Sequence, residues 1–288
     1  MAKNKSASIR GAQGFEEYYS AIFGRRWPAL KDALLKETEP LPFTPIEGGP
    51  SYYLDAASVL AAISLPLCGA QNILDMCAAP GGKSLVLASR MKAASCLRCN
   101  ERSFDRFQRL RKVVADHLPQ EIQERVKISC GDGALLCKKE NVLYDAILLD
   151  APCSSERHVL NDPKYLDDWS PARVKSLAMQ QWALLSSAYR LLKDGGLLLY
   201  STCALNQSEN SQVAARLLKK FPEARAVSLE EVLAFQETGK KEILDFFDVA
   251  ALPKFEEQEL GFSILPDLQG GAGPIYFCLF TKGMDKIS

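Results

Sequence analysis

The sequence predicts an α/β fold: a doubly wound, Rossmann-like parallel sheet with helices on both faces, preceded by a small N-terminal helical extension. Three observations carry that expectation. Short apolar runs alternate with helical segments through the middle of the chain. The first of these runs passes through a glycine turn into a helix. The runs end on small, acidic or thiol residues, at the edge where a parallel sheet gathers its ligands.

In chain order, residues 14–37, GFEEYYSAIFGRRWPALKDALLKE, place apolar side chains at helical spacing around a basic turn, Arg25 and Arg26. TEPLPFTPIEGGPSYY follows with four prolines and two glycines and reads as a connecting segment. Residues 1–51 are therefore expected to form the extension and linker, and 52–288 the sheet domain. DAASVLAAISL is helix-like, and QNILDM is a short buried strand leading into the helical KSLVLASRM. ASCLRCN is a second strand, followed by the basic amphipathic helix SFDRFQRLRKVVADHL. RVKISC and YDAILLD are strands three and four. A helix is expected over 173–193, closed by Asp194-Gly195-Gly196, then a fifth strand, GLLLYST, and a helix over QSENSQVAARLLKKF. The final ELGFSILPDLQGGAGPIYFCLFTKG reads as two strands around a glycine-rich loop, an antiparallel hairpin at the sheet edge.

Composition narrows the function classes. Of 288 residues, 47% are hydrophobic, which supports one large core, yet no run is long enough to cross a membrane. The start, MAKNKSASIRGAQG, is basic without an apolar stretch behind it and does not read as a secretory signal. Nine cysteines, an odd number, read as reduced thiols, and the chain is expected to be cytoplasmic. Cys96 and Cys99 have zinc-like spacing, but no second pair follows and the chain has only two histidines, His117 and His158, so they are expected to be strand residues and no metal is expected. Thirty-five basic and 35 acidic residues give zero formal charge, which counts against nucleic-acid binding by bulk electrostatics.

The strand exits hold the chemistry. DMCAAPGGKS fails as a Walker phosphate loop, because the required first glycine falls at Cys77, and this disfavours a nucleotide hydrolase. It remains a tight turn whose glycines let a ligand approach a helix N-terminus. Glu101, about twenty residues on, suits the hydroxyls of a ribose, so an adenosine cofactor is implied. Asp75, Glu101, Asp132 and Asp150 all lie at exits. Four acids suit a cationic methyl donor, S-adenosyl-L-methionine, better than a polyphosphate.

In ILLDAPCSSERH, Ile147 to His158, a thiol follows one such acid. Cys153 leaves the fourth strand and Cys203 the fifth; if those strands are neighbours, at ~4.8 Å spacing, both thiols reach one crevice. The helix expected from Gln207 would favour a thiolate at Cys203 through its dipole. Thiolate, carboxylate and methyl-sulfonium together suggest methylation of a pyrimidine at carbon 5. Thiolate addition at carbon 6 makes carbon 5 nucleophilic, an acid near ring nitrogen 3 stabilises the developing charge, and a base then removes the carbon-5 proton. The ring must be unstacked to be reached. This chemistry leaves open which cysteine attacks.

DMCAAPGGKS, Asn100-Glu101 with Arg106 five residues on, GDG at 131–133, DAPCSS, YSTCALNQSEN and the terminal GPIYF together resemble the Nol/Nop/Sun family of RNA cytosine-5 methyltransferases. The resemblance runs from about Tyr52 to the end. FEEYYSAIFGRRWPAL, CSSERH and GPIYFC look most like the branch with the mitochondrial rRNA and tRNA enzymes. It implies that Cys203 is the nucleophile, that Cys153 assists product release and that Asp150 contacts the target base. It further implies that S-adenosyl-L-methionine is held by Ala78, Ala79, Pro80, Gly81, Gly82, Lys83 and Ser84 of the turn, by Glu101 and Arg106 at the ribose, and by Asp132, Gly133 and Asp150.

SSERH replaces the SGEG form common among bacterial relatives, so Glu156, Arg157 and His158 are left without a role, with RNA contact and a solvated loop both open. In the extension, Arg25, Arg26 and Trp27 are the candidates for contact with RNA by backbone pairing or stacking. The expected activity is 5-methylcytosine formation in ribosomal RNA, on a target presented by a ribosomal subunit or an assembly partner. The same reaction on tRNA, and a non-catalytic ribosome-assembly factor, are the alternatives.

Overall fold

The computed structural model describes residues 10–283. It opens with α1 (Gly11–Phe23) and α2 (Trp27–Leu35), joined by one tight turn at Gly24–Arg26. Their apolar stripe, Phe15, Tyr19, Trp27, Leu30 and Leu34, is fully buried. It packs on Val159, Trp169, Val174, Leu205 and Leu265 and forms a small core of its own. The stretch expected as a linker carries a hairpin, β1 (Leu41–Phe43) with β2 (Tyr52–Leu54). Its prolines did not prevent pairing because both strands of a two-stranded ladder are edges, where proline is tolerated. The hairpin lies over the glycine turn: a Cβ on Gly82 would meet Leu54 Cδ2 at 2.5 Å. Next comes α3 (Ala56–Ile63), capped by the Asp55 carboxylate, which accepts from Ala57 N at 2.7 Å.

The alternating region follows as β3 (Asn72–Asp75), α4 (Gly82–Ser89), β4 (Cys96–Glu101), α5 (Phe104–His117), α6 (Gln120–Gln123), β5 (Val126–Cys130), α7 (Leu136–Lys139) and β6 (Tyr144–Asp150). Two short helices, α8 (Glu156–Asn161) and α9 (Pro163–Asp167), precede the long α10 (Pro171–Arg190) and β7 (Leu192–Thr202). The chain ends with α11 (Ser211–Lys220), β8 (Ala224–Ala226), α12 (Leu229–Ile243), β9 (Glu256–Glu257), β10 (Phe262–Ile264) and β11 (Ile275–Lys282).

The main sheet has the order β5-β4-β3-β6-β7-β11-β10-β9, with β8 pairing β11. Strands β5, β4, β3, β6 and β7 are parallel, while β11 runs antiparallel to β7 and to β10. The predicted doubly wound sheet and its terminal hairpin are therefore present. Alternation along each strand divides the core. Ala146 and Leu148 face α3, α4, α5 and α12, while Ile147 and Leu149 face α7, α10 and α11. The chain winds outward through β3, β4 and β5, then returns to place β6 on the other side of β3. Strand order reverses between β3 and β6, and ligands of open α/β sheets bind above such a point.

Two boundaries differ from expectation. The long helix ends at Arg190, and Asp194-Gly195-Gly196 does not cap it. The pairing steps from Tyr144↔Leu192 to Ala146↔Leu197, so Lys193 through Gly196 bulge opposite Asp145, which Lys193 Nζ holds at 2.6 Å. The helix after Cys203 begins at Ser211 rather than Gln207, because turns occupy the intervening residues. Its N-cap residue Asn210 still reaches the loop of Cys203, bonding Thr202 and Ala204 on either side of it. Cys96 and Cys99 lie on β4 as expected, the first exposed and the second buried.

Candidate active site

Because β6 and β7 are parallel neighbours with Asp150 opposite Ser201, their exits deliver both thiols to one place. Cys153 and Cys203 Sγ stand 2.8 Å apart, and Cys203 N donates to Cys153 Sγ at 3.3 Å. The two sulfurs are inequivalent. Hydrogen bonding from Cys153, against the opposing effect of burial, holds the Cys203 thiol below its ordinary pKa. The same bond, with burial and the nearby Glu156 and Glu209, pushes Cys153 well up. Either sulfur can donate across this 2.8 Å contact, and a proton left on Cys153 makes Cys203 the thiolate.

Cys203 lines a crevice of about 390 Å³ with Asp55, Ser58, Ser155, His158 and Pro274 among its walls. Asp150 sits beside it. Lys83 Nζ donates to Asp150 Oδ2 at 2.8 Å and to Ser58 Oγ at 3.3 Å, and Ser201 Oγ donates to Asp150 Oδ1 at 2.9 Å. Burial works against the Lys83 ammonium, but Asp150 outweighs it and raises its pKa. The loop of Cys203 is pinned by Asn210, which takes Thr202 Oγ1 at 2.5 Å and gives Nδ2 to Ala204 O at 2.8 Å.

A second hollow of about 240 Å³ opens beside the exits of β3 and β4. Its walls include Cys77, Glu101, Arg106, Asp132, Gly133 and Leu184. Glu101 Oε1 accepts from Ser103 N at 2.8 Å, whereas Oε2 is buried and lacks a hydrogen-bond partner. An orphaned carboxylate oxygen is costly unless a ligand satisfies it, so the hollow fits a ribose hydroxyl. Arg106 supports this wall: its Nη1 lies 3.5 Å from Glu101 Oε2 and its Nη2 donates to Ala79 O. Gly133 leaves the floor clear, since a Cβ there would lie 2.9 Å from Leu184 Cδ2 and Met76 Cγ. Asp132 Oδ1 accepts from Ala134 N at 3.0 Å and fixes the turn. Burial pushes the Cys77 thiol well up, so it lines this hollow as a neutral group.

The expected cofactor turn is divided by the structure. Cys77, Ala78, Ala79, Pro80, Gly82 and Lys83 line a hollow with Asp75 and Asp150, on the side toward the thiols. Gly81 supplies the positive φ of 124° that starts α4. Ser84 is buried beneath the turn, where its Oγ donates to Asp75 Oδ2 at 2.6 Å. Lys83 and Asp150 thus point away from the ribose wall, toward Cys203. Burial pushes Asp75 up to about 7.

The residues of SSERH do different work from a solvated loop. Glu156 is fully buried. Arg157 donates to the carbonyls of Gly271 (2.7 Å), Gly273 (3.0 Å) and Lys36 (3.0 Å), fixing the crevice wall to the end of α2. Only His158 of the three is exposed, its ring 4.7 Å from Tyr165. In the extension, Trp27 is 1% exposed and cannot offer a face for stacking. Arg26 is locked to Glu256 and Asp267 at 2.6 Å each, which leaves Arg25 as the exposed candidate. Sequence reasoning missed Glu209 and the pairing of Lys83 with Asp150, whose partners lie too far apart in the chain to leave a local signal. Among the described residues no cluster of three or more metal-binding side chains occurs, and no helix is long and apolar enough to cross a membrane.

Residues 62–264 match the family model described as 16S rRNA methyltransferase RsmB/F. The chain is 33% identical over 241 residues to the 5-cytosine rRNA methyltransferase NSUN4 of Mus musculus, covering 79% of this chain and 58% of that protein. It is 34% identical over 233 residues to a mitochondrial tRNA (cytosine(34)-C(5))-methyltransferase of Danio rerio, covering 80% and 60%. The chain thus spans about three-fifths of the length of these curated relatives. The crystal structure of a methyltransferase homolog protein from Pyrococcus horikoshii superposes with a TM-score of 0.67 at 19% identity, covering 94% of this chain and 95% of that one, and so shares the fold. With the family model covering most of the chain and relatives above 30% identity on both the rRNA and the tRNA side, this chain belongs to the RsmB/F (NOL1/NOP2/Sun) family of RNA cytosine-5 methyltransferases.

Proposed function

We propose that this chain is an S-adenosyl-L-methionine-dependent methyltransferase that forms 5-methylcytosine in ribosomal RNA. The observation that carries this reading is the pair of sulfurs 2.8 Å apart beside Asp150, with an adenosine-sized hollow next to them. S-adenosyl-L-methionine, when bound, supplies the electrophilic methyl group. Glu101, Arg106 and Asp132 would hold its adenosine part.

Cys203 Sγ adds to carbon 6 of an unstacked cytosine, and the ring becomes nucleophilic at carbon 5. Asp150, braced by Lys83 and Ser201, would face the polar edge of the ring and accept from the exocyclic amine and from nitrogen 3, which takes up a proton from water as the thiolate adds. Once carbon 5 carries the methyl group and has lost its proton, the bond between carbon 6 and Cys203 breaks, and Cys153 assists that release. The presence of both thiols disfavours a non-catalytic assembly factor. Similarity to an rRNA enzyme and to a tRNA enzyme at nearly equal identity makes tRNA the second substrate reading.

The test is bisulfite sequencing of ribosomal RNA and tRNA from matched cells with and without the gene. Loss of a protected cytosine in ribosomal RNA is the expected result. Loss confined to tRNA reassigns the substrate, and unchanged protection in both contradicts the activity.

A further inference from the structure

His158 is the residue of the SSERH segment whose side chain the fold leaves unused. It is exposed, and it shares the wall of the crevice with Cys203 and Asn161. Its ring centroid lies 4.7 Å from that of Tyr165, with the two planes inclined by 51°. The Arg173 guanidinium carbon lies 5.6 Å from the Tyr165 centroid on its own account, a cation–π contact that steadies the tyrosine ring. The three side chains form a row that starts at the crevice and leads away from it along α8, α9 and the first turn of α10. Tyr165 remains 37% exposed.

The row has a rigid base. Two residues before His158, Glu156 Oε1 accepts from Tyr19 OH and from Ser154 Oγ at 2.5 Å, and its Oε2 accepts from Leu205 N at 3.0 Å. Arg157 is directed to backbone carbonyls, and Asn161 Nδ2 donates to Leu34 O at 3.1 Å. Val159 and Trp169 sink into the small N-terminal core, and Trp169 O accepts from Gly11 N at 2.9 Å. The inner faces of α8 and α9 are thereby fixed before any ligand arrives.

The target ring has its own place. It must meet both Cys203 and Asp150, and Asp55 and Ser58 are walls common to the crevice and to the hollow that holds Asp150. That junction suits the reacting cytosine. The part of the crevice walled by Ser155, His158 and Asn161 is then left over, and a cytosine turned out of a strand carries a nucleotide on each side.

We propose that His158, backed by Tyr165 and Arg173, is the stacking platform for the base of a nucleotide adjoining the target cytosine. This rests on the methyltransferase reading, which puts the target at Cys203. Every base has a π-face, so such a platform adds affinity without reading sequence. It also fits the charge balance. The chain has 35 basic and 35 acidic residues, and Asp167 and Asp168 are exposed at the end of α9, so attraction to phosphates is weak here and stacking supplies the hold.

The test is a binding measurement without S-adenosyl-L-methionine, so loss of turnover cannot imitate its failure. A fluorescein-labelled single-stranded RNA nonamer with one central cytosine is titrated by fluorescence anisotropy. Two further probes have an abasic nucleotide just before or just after that cytosine. In the wild type one abasic probe binds about tenfold more weakly than the intact strand, the contribution of one stacked base. In His158→Ala the intact strand and that abasic probe bind alike, because the partner of the missing base is gone. Tyr165→Ala narrows the ratio to about threefold, and Tyr165→Phe, which keeps the ring, holds it near tenfold.

A histidine that only shapes the loop predicts something else: His158→Ala weakens both probes equally and leaves the tenfold ratio intact. That result, or a wild type whose affinity ignores both abasic positions, overturns the proposal. Should His158→Ala fail to fold, the same ratio is read in His158→Gln, which keeps a polar side chain and removes the ring. If the ratio collapses as expected while bisulfite protection is unchanged in cells lacking the gene, the platform stands and the methyltransferase reading falls.

Discussion

The adenosine hollow takes most of its wall from short stretches just past β3, β4 and β5, such as Cys77, Glu101 and Asp132, the two acids each held by a neighbour in the same turn. The thiol crevice is assembled differently. Leu205 reaches Glu156 across 49 residues, Gly273 accepts Arg157 across 116, and Asn206 meets Tyr18 across 188. The first region is a property of the sheet, which any doubly wound fold provides at its carboxyl edge. The second is a property of this chain: the N-terminal helices, the SSERH segment and the glycine-rich loop before β11 must all be in place before two sulfurs meet. Cofactor affinity should therefore be local and robust, and nucleophile reactivity should depend on distant packing.

The largest effect expected from breaking this comparison is on the thiol side. Cys203→Ala should lower methyl transfer by about 10³-fold or more while leaving the affinity for S-adenosyl-L-methionine unchanged. Transfer is read from labelled methyl incorporation and affinity from calorimetry, and normal turnover would remove Cys203 from its assigned role. Glu101→Ala is the mirror experiment on the cofactor side. Removing a buried carboxylate that meets a ribose should weaken cofactor binding by about 10–100-fold. Cys203 alkylation should stay at the wild-type rate, and unchanged affinity would contradict the ribose assignment.

A smaller effect is expected from pH, because two buried acids lie near neutrality, Asp75 at the end of β3 and Glu209 against Ser154 beside Cys153. Burial raises Asp75 and Glu209 to about 7 from an unfolded value of about 4. Between about pH 4 and 7 the folded chain then binds more protons than the unfolded one, so stability falls as pH rises through that window and stays low above it. Asp75→Asn and Glu209→Gln should each flatten the fall, by on the order of 1–3 kcal/mol, seen as urea midpoints across a pH series. A slope unaltered by either change would show that these acids ionise normally.

What could be read from the sequence follows the same division. The strands, the turn before α4 and the acids at the exits were legible, because a buried parallel strand must be a short apolar run and its exit must turn. The meeting of Cys153 and Cys203 followed once their strands were taken as neighbours. The hairpin around Phe43 and Tyr52 was not legible, since prolines hid a pairing held by contact with Gly82. Helix α12 was passed over although Ser228 and Glu231 form a capping box ahead of the buried Val232, Gln236, Gly239 and Ile243. That signal was local and available. The contacts of Tyr19, Glu156 and Glu209 had no such signature, because bonds across more than a hundred residues exist only after the chain has folded.

The central claim is that Cys203 attacks the cytosine and Cys153 lets it go. It is tested most directly by incubating the Cys153→Ala chain with ribosomal RNA and S-adenosyl-L-methionine and resolving the mixture on a denaturing gel. A slow-migrating protein–RNA adduct, absent when Cys203 is also replaced by alanine, is the predicted outcome. Efficient product release with no adduct, or an adduct that survives loss of Cys203, would contradict it.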